Sequence, residues 1–214
     1  MESSTKILLT AAIFGAGAFF LWKKGHDDEE DTNEANRATA NLDDPDTKAA
    51  LLLKHALQYE LVGPVWAGND VDDPPEIAAL YNACLNVTNW AGVQSKFSKL
   101  CNNEATLLQA MQDNTDSNVF QTALTLCKAK KIISIEPLTA RLTVFNEDGS
   151  AEDEGEAKQF AADTLLGAVI TTTSDVITFN NGFQSAGVIP FRKLQAINGT
   201  ASINKVKIID PLKP

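Results

Sequence analysis

Any chemistry in this chain has to come from two histidines, three cysteines and two tight clusters of acids. His26 stands in an acidic stretch, and His55 lies between Lys54 and Ala56 in a helical pattern. Neither has a nucleophile or an orienting acid at a recognisable spacing. No nucleophile elbow, phosphate-binding loop or His-Glu-x-x-His motif is present. His55 therefore reads as a partly buried helix residue, and no catalytic residue and no cofactor are expected.

Cys84, Cys101 and Cys127 form no Cys-x-x-Cys pair, and an odd number cannot all be bridged internally. Their apolar neighbours at helical intervals mark them as small hydrophobes of a reduced core, with one disulfide as the alternative in an oxidising compartment. Asn69 to Asp73 places Asp70, Asp72 and Asp73 close together as candidate metal ligands, with helix capping as the competing use. Ser150, Glu152, Glu154 and Gly155 echo a calcium loop, but its twelfth position is Ala161, where a bidentate Glu is required. Glycoside hydrolysis needs two carboxylates facing across a cleft. With 28 acids such a pair is available, and no spacing singles one out.

The elements that carry these residues follow from composition and period. The chain has 214 residues, 44% of them hydrophobic and 21% charged, so most of it should fold. A formal charge of −10 argues against a nucleic-acid partner, since the only basic cluster is the short run Lys128 to Lys131.

Ile7 to Trp22 contains no charge, and a helix from Ser3 to Lys24 would be about 33 Å long, enough to span a bilayer core. Ile7, Phe14 and Phe19 supply apolar surface, Trp22 suits the headgroup boundary, and Lys23 and Lys24 snorkel. A cleaved signal is the main alternative, because Ala16-Gly17-Ala18 satisfies the small-x-small rule. A soluble core helix fails for lack of any polar face. Residues 1–24 are thus expected to be a transmembrane anchor, with residues 3–24 contacting the lipid bilayer. Gly15 and Gly17 with their alanines offer a face for self-association. Lys23 and Lys24 outnumber Lys6, which places the later domains on the cytoplasmic or internal side of a host-cell or virion membrane.

Residues 25–47 carry nine acids between Asp27 and Thr47 against Arg37, and read as a disordered acidic linker. From residue 48 to 131 the apolar period becomes 3.6. A first helix runs through Leu51, Leu52, His55 and Tyr59, preceded by a stop at Pro45 and closed by Pro64. A loop follows, with Asp73 as cap and Pro74-Pro75 opening the next helix. That helix lines up Ile77, Leu80, Tyr81, Cys84 and Leu85. Later helices present Trp90, Val93, Phe97, Leu100 and Cys101, then Leu107, Leu108 and Met111, then Val119, Phe120, Ala123, Leu124 and Cys127. About five short helices make a bundle.

This order of one helix, an acidic loop, three shorter helices and a fifth resembles the annexin repeat. Gly68, Asp70 and Ile77 correspond to its loop, Phe97 and Leu100 to its later Tyr and Leu, and Leu107 and Leu108 to its later leucines. The resemblance covers residues 48–131 in a single copy, and such single units are similar to small structural proteins of bacteriophages. It implies a five-helix annexin-like bundle and, through the loop, calcium-dependent lipid binding.

Residues 132–214 are rich in Val, Ile and Thr between turn residues and read as a small β-rich domain. Asn181-Gly182 is expected to be a hairpin turn, residues 146–166 an acidic loop with a short helix, and residues 186–191 a strand. The expected fold class is α+β: a single transmembrane helix, an acidic linker, a helical bundle and a β-rich domain. Function is expected to be non-enzymatic, a membrane-anchored structural protein binding another protein of the same membrane or particle. The alternatives are a calcium-dependent lipid binder and a cell-wall hydrolase.

Overall fold

The computed structural model describes residues 44–186 and 193–214, except 154 and 156. The anchor and most of the acidic linker lie outside the described residues, as does most of the run 186–191. Among the described residues the chain is α+β, with five α-helices followed by a sheet-rich carboxyl-terminal part.

The first helix, α1 (Pro45–Ala56), begins inside the segment assigned to the linker. Asp44 caps it, accepting from the Asp46 amide at 3.1 Å and the Thr47 hydroxyl at 2.6 Å. Pro45 occupies a first-turn position, where its missing N–H costs nothing, and is not a stop. Lys96 pairs with Asp44 at 2.6 Å, and this contact holds the carboxyl near pKa 2. The buried face of α1 is Ala49, Ala50 and Leu53, joined beyond its end by Leu57. Leu51 and Leu52 are half-buried and His55 is exposed, so the apolar stripe is displaced from the expected one.

The helix ends at Ala56, well short of Pro64. Its continuation is a two-stranded hairpin, β1 (Glu60–Val62) and β2 (Val65–Ala67), with Pro64 in the turn. Helix α2 (Pro74–Leu85) opens on two prolines as expected. The first two amide donors are therefore missing, and those of Glu76 and Ile77 both go to the Asp73 carbonyl, at 3.0 and 2.9 Å. The Asp73 carboxylate makes no capping bond. Helices α3 (Trp90–Leu100), α4 (Leu107–Asp113) and α5 (Ser117–Lys128) are capped by side chains of Asn89, Thr106 and Asp116. Leu53, Leu80, Val93, Phe97, Leu107 and Met111 meet in one fully buried core.

The sheet is antiparallel throughout, in the order β10 (Val206–Ile209), β3 (Lys131–Ser134), β7 (Leu165–Thr172), β8 (Val176–Ala186), β9 (Lys193–Ser202), β4 (Leu138–Phe145). Strands β5 (Ala151–Asp153) and β6 (Ala157–Phe160) run along the far edge of β4, end to end. Between them Gly155 lies against the Leu142 carbonyl, where a Cβ has no room. The expected acidic loop and helix are thus strands, since an edge strand tolerates Glu and Lys on its solvent side. Among the described residues, no helix residue joins the second core of Ile132, Leu138, Phe160, Leu166, Ile177 and Phe179. With no helix to cover them there, the strands must curl around their own inner face.

The expected turn at Asn181-Gly182 is wrong. Both residues lie within β8, and the register shifts between Asn180 and Gly182 as a bulge. The β7–β8 turn is at residues 173–175, where the Thr173 amide donates to the Val176 carbonyl at 2.9 Å. Beyond the bulge β8 has no strand partner on its β7 side among the described residues. Asn82 of α2 takes that place: its Nδ2 donates to the Phe183 carbonyl at 2.8 Å, and the Phe183 amide donates to its Oδ1 at 2.7 Å. Tyr81 meets the Phe183 ring edge-on at 5.1 Å, and Phe183 and Leu194 pack into the helical core.

Asn82→Ala should leave both Phe183 backbone groups without their partner and cost about 1–3 kcal/mol. Urea unfolding measures the loss, and hydrogen exchange should show the Phe183 amide opening faster. Unchanged protection at Phe183 would remove this role.

Candidate functional site

The acids singled out in the sequence do not converge. Asp70, Asp72 and Asp73 are all exposed, and no group of three or more His, Cys, Asp or Glu among the described residues is placed to hold a metal ion. Ser150 closes the β4–β5 turn, its amide and hydroxyl both donating to Asp148 Oδ1 at 2.9 and 2.6 Å. A cleft of about 400 Å³ at the end of the curled sheet is lined by Leu138, Asp175, Val176, Thr200, Ser202 and Lys205. Lys205 is engaged by Glu136 at 3.0 Å, and among the described residues neither a thiol nor an imidazole lines the cleft. Ile7, Phe14, Gly15, Gly17, Phe19, Trp22, Lys23 and Lys24 lie outside the described residues. Among the described residues no helix is long and apolar enough to cross a membrane.

The β1–β2 hairpin is the surface feature that the sequence pattern concealed. Gly63 has φ +62°, and with proline after it the two-residue turn has positive φ at its first central position only, the type that matches strand twist. The tip is therefore stiff, and it is apolar. Val62 and Val65, cross-strand partners, are 61% and 58% exposed, and Leu61 is 37% exposed. Single exposed apolar side chains are ordinary, but a contiguous patch on a projecting element marks a contact site.

Its base is firmly seated. Trp66 stacks on Tyr59 at 6.2 Å, and Tyr59 packs on the buried Phe97 at 5.8 Å. The Lys54 ammonium lies 5.1 Å from the Trp66 ring centre. The Tyr59 hydroxyl donates to the Trp66 carbonyl at 3.3 Å, and burial pushes its pKa up. The Trp66 indole N–H is buried with no partner within the described residues. Glu60 on β1 and Asp70, Asp72 and Asp73 in the segment that leads from β2 to α2 are all exposed. The hairpin is an apolar knob seated on an aromatic base, with an exposed acid on its first strand and three more in the segment that follows it. Sequence did hold a signal for it, a Val-Gly-Pro-Val centre between Tyr59 and Trp66, but the preceding helical stripe runs into it without a break.

Lys131 sits where α5 passes into β3 and is fully buried. Its ammonium donates to the Leu126 and Ala129 carbonyls at 2.6 and 2.9 Å, closing the helix end. Burial lowers its pKa to about 8, while the nearby Cys127 and Cys84 act in the opposite direction. In the unfolded chain this lysine keeps its proton up to about pH 10.5. Between those values the unfolded state binds more protons, so raising the pH favours the fold. The raised Cys84 thiol works against this, because it ionises in the unfolded chain over the same range. The Lys131 contribution is therefore read as a difference: relative to Lys131→Met, the natural chain should gain up to about 2 kcal/mol from pH 8 to 9.5. Urea midpoints at several pH values check it, and an equal slope in both proteins would sink the assignment.

Compared with known proteins, the chain matches no family model, no curated protein and no solved structure.

Proposed function

We propose that this chain is a non-enzymatic, membrane-anchored interaction protein. Residues 3–24 hold it in the bilayer, the acidic segment gives reach, and the folded part presents the β1–β2 knob to a second protein. The observation that carries this reading is the stiff tip of Val62, Pro64 and Val65, solvent-exposed beyond a base fastened by Tyr59, Trp66 and Phe97. A feature that costs apolar exposure and yet is rigidly built is best understood as half of an interface. The exposed acids on and just after the hairpin, Glu60, Asp70, Asp72 and Asp73, favour a partner with an apolar notch and basic residues beside it. They oppose an anionic lipid surface. A neighbouring structural component of the same membrane or virion fits this description, in keeping with the bacteriophage resemblance.

The test replaces both tip valines, Val62→Asp and Val65→Asp, in the full chain expressed in its native membrane or particle. A photo-crosslinker at residue 62 of the otherwise unaltered chain should trap one protein through a peptide rich in Lys or Arg. The double variant should lose that protein at least tenfold on purification, with its thermal unfolding unchanged. Undiminished capture by the double variant, or crosslinks to lipid alone, would overturn the proposal.

A further inference from the structure

The sheet is split at one place. Strands β4 and β9 pair from Phe145–Ala196 to Leu142–Gly199, and there their ladder stops, although β9 runs on to Ser202 and β4 begins at Leu138. On its far edge β4 stays paired with β6 from Arg141 back to Leu138. The seam is closed at the last shared pair, because Leu142 packs on Gly199, where a Cβ would meet Leu142 Cδ2 at 2.7 Å. Beyond that point the strands part around the cleft of about 400 Å³. Leu138 and Thr139 line it from β4, and Thr200, Ala201 and Ser202 from β9.

Which backbone groups face the cleft follows from the alternation of an antiparallel ladder, in which successive residues bond to opposite neighbours. The Ile203 amide donates to the Asp175 carbonyl at 3.0 Å, on the β8 side. Counting back in twos, Ala201 and Gly199 also turn toward β8, so Thr200 and Ser202 direct their N–H and C=O groups into the cleft. Asn198 turns the same way and meets Thr143 of β4, so Thr139, four residues earlier, presents its peptide groups from the facing strand. The rim is polar, with Thr139, Asp175, Thr200, Ser202 and Lys205 exposed. The floor is apolar, with Leu138 and Ala201 buried and Val176 40% exposed.

We propose that this cleft is a docking slot for an extended, basic peptide segment of a partner protein, which enters as an added strand beside β9. Two strand edges that face each other across a gap offer the donors and acceptors that a strand between them would use. The peptide lies antiparallel to β9 and exchanges hydrogen bonds with Thr200 and Ser202. About three or four residues, at about 3.4 Å each, fill the slot. Successive side chains point opposite ways, so those turned to the floor are small or β-branched apolar residues that cover Leu138, Val176 and Ala201.

Charge decides what is turned to the rim. Lys205 is already engaged by Glu136 at 3.0 Å, whereas Asp175 meets a neutral group, the Ser174 hydroxyl, at 2.9 Å. The charge left over at the cleft is therefore negative, and it complements a Lys or Arg of the peptide. The slot is built from other strands than the hairpin, so this inference stands apart from the proposed docking role and does not need it.

The experiment uses the full chain, purified in a zwitterionic detergent, with the blocked peptide acetyl-Thr-Val-Lys-Val-Thr-amide as probe. Hydrogen exchange at the Thr200 and Ser202 amides should slow at least about tenfold at saturating peptide. Amide resonance shifts should centre on Thr139, Thr200 and Ser202. The same peptide N-methylated throughout should not bind, since it has no donors for the ladder. Replacing its Lys by Glu should weaken binding about fivefold or more, and Asp175→Asn in the protein should remove that preference. Unchanged exchange at Thr200 and Ser202 up to millimolar peptide would overturn the proposal. So would equal binding of the N-methylated peptide, equal binding of the Glu peptide, or protection confined to the β1–β2 hairpin. Protection of the same amides by cellobiose and not by the peptide would replace it with a saccharide site. The peptide comparisons are made on the natural chain, so an Asp175 variant that fails to fold leaves the test intact.

Discussion

One side-chain amide holds the two halves of this molecule in register. A bulge at Asn180 to Gly182 turns β8 away from β7, and the strand continues with one edge unpaired. Unpaired strand edges recruit other chains or lose order. Asn82 prevents both outcomes by presenting a donor to the Phe183 carbonyl and an acceptor to the Phe183 amide. A helix cannot pair with a strand through its own backbone, because its N–H and C=O groups are already used. An amide side chain reproduces the peptide pattern and lets α2 stand in for a missing strand. Gly182 keeps space for it, since a Cβ there would approach Asn82 Oδ1 to 3.2 Å.

Everything on either side of that contact is built to bring it about. On the helical side, Leu80 and Cys84 bury one face of α2 against the other helices, leaving Tyr81 and Asn82 to meet the sheet. On the sheet side, strands curl around Ile177 and Phe179 and leave Phe183 and Leu194 free to enter the helical core. The chain terminus reinforces the same seam, where the Trp90 amide donates to the Pro211 carbonyl at 2.9 Å. Lys131 closes it from the inside. Its buried charge is tolerated because two helix-end carbonyls replace its water.

Against that rigid body the β1–β2 hairpin makes functional sense as an outlying element. Its base joins the core through Trp66, Tyr59 and Phe97, while its tip contributes nothing to the fold. Stability alone would favour polar residues at Val62 and Val65. The acids nearby are not grouped to hold a metal, and two of them, Asp70 and Asp72, lead into a loop pinned by the Val71 amide on the Asn114 carbonyl at 2.8 Å. That loop therefore has a fixed shape and a fixed charge.

Local pattern was enough to reveal the later helices. The stripe of Val93, Phe97 and Cys101, the prolines at α2 and the stripe ending in Cys127 state their elements directly, because helix formation depends on neighbours a turn away. The change to Val-, Ile- and Thr-rich segments likewise announced the sheet. Elsewhere the same residues admitted two readings. Pro64 suits a helix stop and a hairpin turn equally. Asn181-Gly182 suits a turn and a bulge, because both require backbone freedom. The acids of residues 147–156 suit a loop and an edge strand. Which reading holds depends on what lies across from each residue: Phe97 under Tyr59, Asn82 beside Phe183, β4 beside β5 and β6. The first two of those partners are distant in sequence, and the third is a neighbouring hairpin whose pairing the acidic composition conceals. So the sequence by itself determined the later helices and the β-rich character of the carboxyl-terminal part, while only the tertiary structure decided where the first helix gives way to the hairpin, which acids lie on an edge strand, and the register of the sheet, since most of these depend on contacts with residues far along the chain.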